Sequence, residues 1–287
     1  MAFLRRLLGK EKRQACAASE AAAPAAVGDG RAQVGWISEI GQQRTSNEDA
    51  VLVIRADQAG SNSLPSFGLF VLADGMGGHQ AGEVASCLAV RAAARHILQH
   101  IYLVTLQEQE HNAEQPSLKE VLEEATQRAN AIVSSAVPGG GTTLTCALVL
   151  GNQVVISHVG DSRAYLVFPD HLERVTHDHS LVDRLVELGQ LSSAEAAHHP
   201  QKNVLYRAVG QGGLLEVDVV LRSISPDHGL LLCSDGLWGM LSEEEIVAII
   251  GAAPTAQAAC DALAAAANRA GGRDNISAVL VRFPSGW

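Results

Sequence analysis

Residues 67–79 read Phe-Gly-Leu-Phe-Val-Leu-Ala-Asp-Gly-Met-Gly-Gly-His. An apolar run of strand length ends there on a single carboxylate, Asp74, and glycines follow at positions 75, 77 and 78. Glycine lets the backbone turn sharply and come close to a bound group. An acid at the end of a buried strand costs free energy unless it is paired, hydrogen-bonded or bound to metal. The stretch therefore predicts a buried strand that delivers one acid to a site.

Three other stretches also place acids beside an apolar run. These acids are Glu48 and Asp49, Asp235, and Asp274. Carboxylate oxygens are hard ligands, which suit Mg²⁺ or Mn²⁺ and not zinc or copper. We therefore expect the acids to meet at one place and hold divalent metal. Asp74 is the natural bridge between two ions, because the carbonyl of Gly75 could serve as a further ligand.

Composition narrows the class of protein. The 287 residues suffice for one large domain or two small ones. A formal net charge of −10 argues against non-specific binding to nucleic acid, which needs a basic surface. The five cysteines are scattered and lack CxxC spacing, so we expect neither zinc nor a disulfide framework, and a reducing cytoplasm fits. No apolar run approaches the roughly 18 residues of a membrane-spanning helix.

The first 32 residues are predicted to lie outside the folded domain. Residues 1–14 combine apolar side chains with five basic ones, and residues 15–30 are rich in alanine. We interpret the first segment as a flexible tail and the second as a linker. A short amphipathic helix that touches a membrane or a partner is the alternative for residues 1–14. A single domain then covers residues 33–283.

Hydrophobic periodicity predicts the order of helices and strands. The predicted strands are 33–40, 50–54, 67–73, 216–222, 229–234 and 276–283, together with four runs at 142–150, 153–159, 163–168 and 171–175 that read as an antiparallel meander. The predicted helices are 81–99, 117–135, two short ones within 180–198, 242–250 and 255–270. Ser117 and Glu120 resemble a capping box. Because helices and strands come in blocks and not in βαβ alternation, we expect α+β layers.

Two further features have competing interpretations. Arg44 could bind phosphate bidentately, but a structural ion pair with Glu48 or Asp49 is slightly favoured from the residues alone. The glycine-rich residues 138–143 lack the lysine of a phosphate-binding P-loop and lead into a strand, so we interpret them as a turn. Among eleven histidines, His79 and either His177 or His179 are the candidate proton donors.

Taken in order, the motifs resemble those of the PPM (type 2C) metal-dependent serine/threonine protein phosphatases, and most closely those of the compact bacterial members. The matching motifs are Arg44-x-x-Asn47-Glu48-Asp49, Asp74-Gly75-Met76-Gly77-Gly78, Gly141-Thr142-Thr143, Gly160-Asp161-Ser162-Arg163, Ser234-Asp235-Gly236 and Asp274-Asn275. The resemblance covers residues 33–283. It implies a four-layer α-β-β-α sandwich, in which two antiparallel sheets pack face to face between helices.

The resemblance also implies a binuclear Mn²⁺ or Mg²⁺ centre in the cleft between the sheets. Asp74 would bridge the ions, the Gly75 carbonyl would bind one of them, and Asp235 and Asp274 would complete the other. Glu48 and Asp49 would act near the metals, partly through water. Asp161, with Asp235, would hold a third, weaker ion. Arg44 would hold the substrate phosphate, which reverses the preference for an ion pair.

Residues 177–207 resemble the flap beside the cleft, which would influence the choice of substrate. Some members carry histidine directly after the Asp-Gly pair as a proposed general acid, whereas this chain has Met76. The leaving-group proton would then come from His79, a flap histidine or metal-bound water. The implied mechanism is direct hydrolysis by a metal-activated water, with Arg44 orienting the phosphoryl group and no cysteine or serine nucleophile.

The resemblance predicts a cytoplasmic, monomeric phosphatase that acts on phosphoserine and phosphothreonine in proteins and opposes a serine/threonine kinase, which could itself be a substrate. Two alternatives remain at this point. One is a pseudophosphatase that serves as a binding or regulatory module, although the chain keeps every metal acid that we can place. The other is a hydrolase of a different phosphate ester, because the flap and not the metal site would decide the substrate.

Overall fold

The computed structural model describes residues 32–58, 64–77, 80–106, 116–197 and 199–284. The predicted tail and linker lie outside this set up to residue 31, and so do His79 and His198. None of the helices in the described ranges is long and apolar enough to cross a membrane.

The strands of the described residues pair antiparallel, several of them with the next strand in the chain. They are β1 Gln33–Glu39, β2 Asp49–Ala56, β3 Phe67–Met76, β4 Gly141–Thr142, β5 Leu144–Leu150, β6 Gln153–Val159, β7 Arg163–Val167, β8 Leu172–Arg174, β9 Asp218–Ser223, β10 Gly229–Cys233 and β11 Ile276–Arg282. One sheet has the order β2-β3-β5-β6-β9, with β4 paired to β3, and the other has the order β1-β11-β10-β7-β8.

The predicted four-strand meander is wrong. β5 and β6 pair with each other in the first sheet, whereas β7 and β8 pair in the second. The chain crosses between the sheets at Gly160, whose φ of +113° is a conformation that glycine adopts readily. Short turns between strands look the same in the sequence whether the next strand continues the sheet or starts another.

Long helices pack on the outer face of each sheet, and shorter helices lie in the connecting segments. They are α1 Gln80–Ile97, α2 Leu103–Thr105, α3 Leu118–Ala136, α4 Leu181–Glu187, α5 Ser193–Ala197, α6 Asp235–Trp238, α7 Glu243–Ala252 and α8 Ala256–Arg269, with a π-helical turn at Leu98–Tyr102 after α1. The Ser117–Glu120 capping box is confirmed at the start of α3. The short helix α6 and the π-helical turn were not predicted.

Strand β3 shows why the buried runs are continuously apolar. Phe67, Leu69, Val71 and Ala73 pack under α1 and α3, whereas Phe70 and Leu72 face the second sheet. Strand β10 alternates in the same way between the second sheet's helices and the space between the sheets. Since both faces of these strands are buried, the molecule is a four-layer α-β-β-α sandwich, and the predicted fold class is confirmed.

Candidate metal centre

The pairing of β2 with β3 brings four of the predicted site residues together. Asp49 lies opposite Asp74 in the register of the two strands. The next residue, Gly75, donates its backbone N–H to the carbonyl of Glu48 over 3.1 Å. The start of β2 and the end of β3 therefore present Glu48, Asp49, Asp74 and the Gly75 carbonyl at one edge of the sheet.

The backbone of Asp74 is fixed by the threonine pair that follows the glycine-rich turn. Asp74 donates its N–H to Thr143 Oγ1 over 2.8 Å. The Asp74 carbonyl accepts hydrogen bonds from Thr142 Oγ1 and from the Thr143 N–H, both at 2.8 Å. These three bonds hold the strand end rigidly, so the position of the Asp74 carboxylate is set by backbone geometry.

The second sheet supplies two more acids. Asp235 begins α6 directly after β10, and Asp274 stands just before β11. Asn275 joins these segments to the first sheet's edge. Its Oδ1 accepts from the Glu48 N–H at 2.8 Å, and its Nδ2 donates to the carbonyls of Ile40 and Ser46 at 3.0 and 2.9 Å. No separate role for Asn275 was predicted, because nothing in the neighbouring residues indicates these distant partners.

Glycines allow the acid-bearing segments to approach closely. A Cβ on Gly236 would lie 2.0 Å from the Asn275 carbonyl oxygen, and one on Gly75 would lie 2.2 Å from the Gly82 carbonyl oxygen. A Cβ on Gly82 would lie 2.1 Å from Glu48 Oε2. These contacts explain why glycine follows both Asp74 and Asp235.

A cleft of 250 Å³ lies where these segments meet, and we call it the metal cleft. Its lining includes Arg44, Glu48, Asp74, Gly75, Asp161, Asp235 and Asp274. The structure therefore brings together every predicted site residue except Asp49 at one surface. Asp49 lies behind this surface, and neither of its buried carboxylate oxygens has a hydrogen-bond partner among the described residues.

Burial and mutual repulsion make this cluster costly without a counter-charge. Burial, together with the charges of Asp49 and Asp235, raises the pKa of Asp74 well above its ordinary value. Burial is also the main cause that raises the pKa of Asp161 to about 8, of Asp49 to about 7 and of Asp235 to about 6. In addition, Asp235 Oδ1 is buried with no hydrogen-bond partner within the described chain.

This donor set fits hard divalent cations, which bind carboxylate and carbonyl oxygens. Across the residues that the structure describes, no three His, Cys, Asp or Glu side chains already stand in a ready-made metal arrangement. Bound cations would neutralise the repulsion between the carboxylates that line the metal cleft.

Arg44 stands at the mouth of the metal cleft. Its Nη2 donates to Asp274 Oδ2 over 2.6 Å, with side-chain exposures of 51% and 26% for the two residues. The interpretation of Arg44 as a structural ion pair named Glu48 or Asp49 as the partner, but the acid is Asp274. A half-exposed guanidinium beside a cleft of acids keeps its charge and can still reach an anion from solvent.

The histidine candidates for proton donation have different positions. His179 is buried, its Nδ1 accepts from the Gly160 N–H at 3.1 Å, and its Nε2 lies 3.3 Å from Asp218 Oδ2. Both ring nitrogens thus serve the fold, which disfavours His179 as a donor to substrate. His177 is exposed. Met76 lines the metal cleft and offers no proton.

Asp161 is supported by a group of residues that the sequence did not single out for this purpose. Its carbonyl accepts from Trp238 Nε1 at 3.0 Å. The Arg163 guanidinium stacks 3.6 Å from the centre of the Trp238 ring and donates to both carboxylate oxygens of buried Asp178. Trp238 carries no sequence signal for this role, because its contacts are with residues far away in the chain.

Comparison with known proteins gives a consistent set of similarities. The family model described as protein phosphatase 2C matches residues 41–280. The chain is 41% identical over 213 residues to the serine/threonine phosphatase stp of Listeria innocua, covering 74% of this chain and 83% of the relative.

Two solved structures show the same similarity in three dimensions. The serine/threonine phosphatase of S. agalactiae has a TM-score of 0.74 and 30% identity, over 88% of this chain and 99% of the other. The catalytic domain of the serine/threonine protein phosphatase PstP, solved in complex with two manganese ions, has a TM-score of 0.69 and 31% identity, over 88% of this chain and 99% of that one.

Proposed function

The chain belongs to the protein phosphatase 2C family and is a serine/threonine protein phosphatase, and we propose that it works with two Mn²⁺ or Mg²⁺ ions held in the metal cleft. Three observations support this proposal. The acids that line the cleft are hard oxygen donors, burial raises the pKa of several of them, and a similar phosphatase has been solved with two manganese ions.

Each predicted ligand receives a role in this proposal. Asp74 would contribute to both ions, and the Gly75 carbonyl, Asp235 and Asp274 would complete their ligands. Glu48 and Asp49 would act near the ions, partly through water, and Asp161 would hold a third, weaker ion together with Asp235. When bound, the ions supply Lewis acidity that activates water and neutralises charge on the phosphoryl group.

The protein's own groups position the substrate. Arg44, half-exposed at the mouth of the cleft, binds the phosphoryl oxygens and orients the ester for in-line attack. The threonine pair at 142–143 and Asn275 hold the acid-bearing backbone in place, so the site needs little rearrangement during the reaction. Cys146 and Cys233 are buried, and burial raises the pKa of each thiol to about 12, which suits a core residue and not a nucleophile.

The proposal extends to substrates and location. Phosphorylated serine and threonine residues of proteins are the substrates, and a cognate kinase is one of the phosphoproteins acted upon. The cysteines at 87, 146, 233 and 260 are free thiols, which supports a reducing compartment such as the cytoplasm.

The observation that carries the metal assignment is the pair of buried Asp49 oxygens and the Asp235 Oδ1 atom, which find no hydrogen-bond partner in the described ranges. Buried charges without partners are retained where they bind something.

The test is a hydrolysis assay with Mn²⁺ on a phosphothreonine peptide, a phosphotyrosine peptide and an aryl phosphate, each with and without chelator. We expect hydrolysis of the phosphothreonine peptide in preference to the phosphotyrosine peptide, and loss of all activity on chelation. Activity that persists in chelator would overturn the metal assignment. Hydrolysis of the aryl phosphate alone would indicate a phosphatase of small esters.

A further inference from the structure

A second, larger cavity adjoins the metal cleft on the side of the flap. It has a volume of 740 Å³, and we call it the flap cavity. Asp161, Asn203, Asp235 and Asp274 line both the flap cavity and the metal cleft, so the two spaces adjoin at these residues. A substrate whose phosphate lies in the metal cleft can therefore extend into the flap cavity.

The walls of the flap cavity combine apolar and charged surface. Val182 and Val186 of α4 and Ala196 of α5 form the flap side, and Trp238 of α6 and Met240 form the opposite side. A cavity of this size exceeds what an isolated phosphate requires and lies in the range that binds extended organic ligands. Apolar walls also suit the aliphatic parts of a peptide better than a fully hydrated small anion.

Among the charged side chains that line the flap cavity but not the metal cleft, some form ion pairs with each other and others do not. Asp178 forms ion pairs with Arg163 at 2.7 Å and Arg174 at 3.5 Å, and Asp183 lies 3.9 Å from Arg174. These contacts leave Lys202 and Arg273, which also line the cavity, with no ion pair to another described residue. Both side chains are exposed. Apart from Asp161, Asp235 and Asp274, which it shares with the metal cleft, the flap cavity is lined by four basic and two acidic side chains.

We propose that the flap cavity is a binding site for the peptide segment next to the phosphorylated residue, and that Lys202 and Arg273 favour an acidic side chain in that segment. This inference rests on the proposed function, since it assumes that a phosphoprotein presents its phosphate to the metal cleft. It adds a preference within the substrate class, set by charge complementarity in the flap cavity.

The alternative is that Lys202 and Arg273 are ordinary solvated charges with no ligand. Exposed ion pairs contribute only about 0.2–1 kcal/mol each, which is about a 1.4- to 5-fold change in a binding constant. The experiment must therefore measure a ratio between two closely matched substrates and not an absolute rate.

The experiment uses the full chain with Mn²⁺ and two phosphothreonine peptides of equal length. One peptide has glutamates on both sides of the phosphothreonine, and the other has glutamines at the same positions. For the wild-type protein we expect kcat/KM to be about three-fold or more higher for the glutamate peptide. In Lys202→Glu the ratio should fall to about one, because the new carboxylate offsets Arg273, and in Arg273→Gln it should fall towards one.

A matched control and a change of salt separate this proposal from a general effect of charge. Lys119 is an exposed lysine on α3, so Lys119→Glu makes the same change outside the flap cavity and should keep the wild-type ratio. Raising the salt concentration to about 0.5 M should reduce the preference of the wild-type protein, because salt screens exposed charges.

The outcomes distinguish this inference from the proposed function. Equal hydrolysis of the two peptides by the wild-type protein would overturn the peptide preference and leave the phosphatase assignment intact. A wild-type ratio in Lys202→Glu would likewise overturn it. Hydrolysis of neither peptide would contradict the proposed function itself. Because each ratio is measured on one protein sample, a partly unfolded variant still gives a valid comparison.

Discussion

Two sets of aspartates in this molecule have opposite surroundings. In the metal cleft and behind it, Asp49 and Asp235 keep carboxylate oxygens without hydrogen-bond partners among the described residues. At the base of the flap, Asp178 accepts hydrogen bonds from Nε and Nη2 of Arg163, and Asp218 pairs with Arg207 at 3.1 Å.

The pKa shifts of Asp49 and Asp218, one acid from each set, also have opposite directions. Burial raises the pKa of Asp49 to about 7, whereas a hydrogen bond from His179 lowers the pKa of Asp218. The paired acids tie the flap to the sheets and need nothing from outside the chain. The unpaired acids weaken the fold until something positive binds them. The contrast separates acids that serve structure from acids that serve chemistry.

The largest expected effect is on catalysis by an acid of the metal cleft. Asp74→Asn should lower turnover of a phosphothreonine peptide by about 10³-fold, which corresponds to ~4 kcal/mol of activation free energy. The melting temperature of the metal-free protein should not fall, because the change removes one of several repelling carboxylates. Steady-state kinetics and thermal unfolding measure the two quantities. Asp170→Asn, at a residue 86% exposed, is the control and should behave as wild type in both.

Removing the partner of a paired acid should instead lower the stability of the fold. Arg163→Met leaves Asp178, which is only 5% exposed, without its closest cation, and should lower the free energy of unfolding by about 3 kcal/mol. Arg184→Met removes the exposed pair with Glu187 and should cost about 0.5 kcal/mol or less. Urea unfolding measures both. Equal costs for the two variants would remove the distinction between buried and exposed pairs.

In the absence of metal, the free energy of unfolding should depend on pH because of the acids whose pKa is raised. The pKa values of Asp49 and Asp161 are raised from 3.8 to about 7 and about 8. Between these ordinary and raised values, the folded state holds more protons than the unfolded state. The free energy of unfolding in chelator should therefore fall as the pH rises from 6.5 to 8.5.

This window also avoids an opposing effect of histidine. Burial lowers the pKa of His158 from 6.5 to about 4, which increases stability with pH only below about 6.5. Thermal unfolding at several pH values, with chelator and with Mn²⁺, is the measurement. Added Mn²⁺ should raise the melting temperature most at high pH. A metal-free protein whose stability rises across this window would contradict the assignment of unpaired, desolvated acids.

The smallest expected effect compares two helical glycines. A Cβ on Gly251, at the exposed end of α7, meets nothing within 4 Å, so Gly251→Ala should stabilise the protein by about 0.5–1 kcal/mol. In Gly82→Ala the new Cβ would crowd Glu48 Oε2, so this gain should be lost and the Mn²⁺ concentration for half-maximal activity should rise. Unfolding curves measure the stability of the two variants, and Mn²⁺ activation curves measure their metal requirement. An Mn²⁺ requirement unchanged in Gly82→Ala would argue against a role for Glu48.

Much of the fold and the site could be predicted because their signals are local. Apolar runs bounded by glycine marked β3, β6 and β10 to within a few residues, and acids at the ends of such runs marked Asp74, Asp235 and Asp274. The motifs in order then indicated the family and, through it, the sandwich. Local signals suffice here because the backbone turn and the acid it carries are neighbours in the sequence.

The features that could not be predicted depend on contacts between distant residues. The division of four consecutive strands between two sheets is set by the crossing at Gly160, and a short turn does not reveal it. The partner of Arg44 is Asp274, which lies 230 residues away. The links made by Asn275 and Trp238 are similarly distant, and no spacing rule connects them.

The most direct test of the account is the number of Mn²⁺ ions that the protein binds. Isothermal titration of the metal-free full chain with Mn²⁺ should give two ions per chain for the wild type, with any third ion binding more weakly. Asp74→Asn should lose this binding, whereas Asp178→Asn, which alters a paired acid, should retain it in the fraction of protein that is folded. Binding by Asp74→Asn with wild-type stoichiometry and affinity would contradict the claim that the acids of the metal cleft hold the ions.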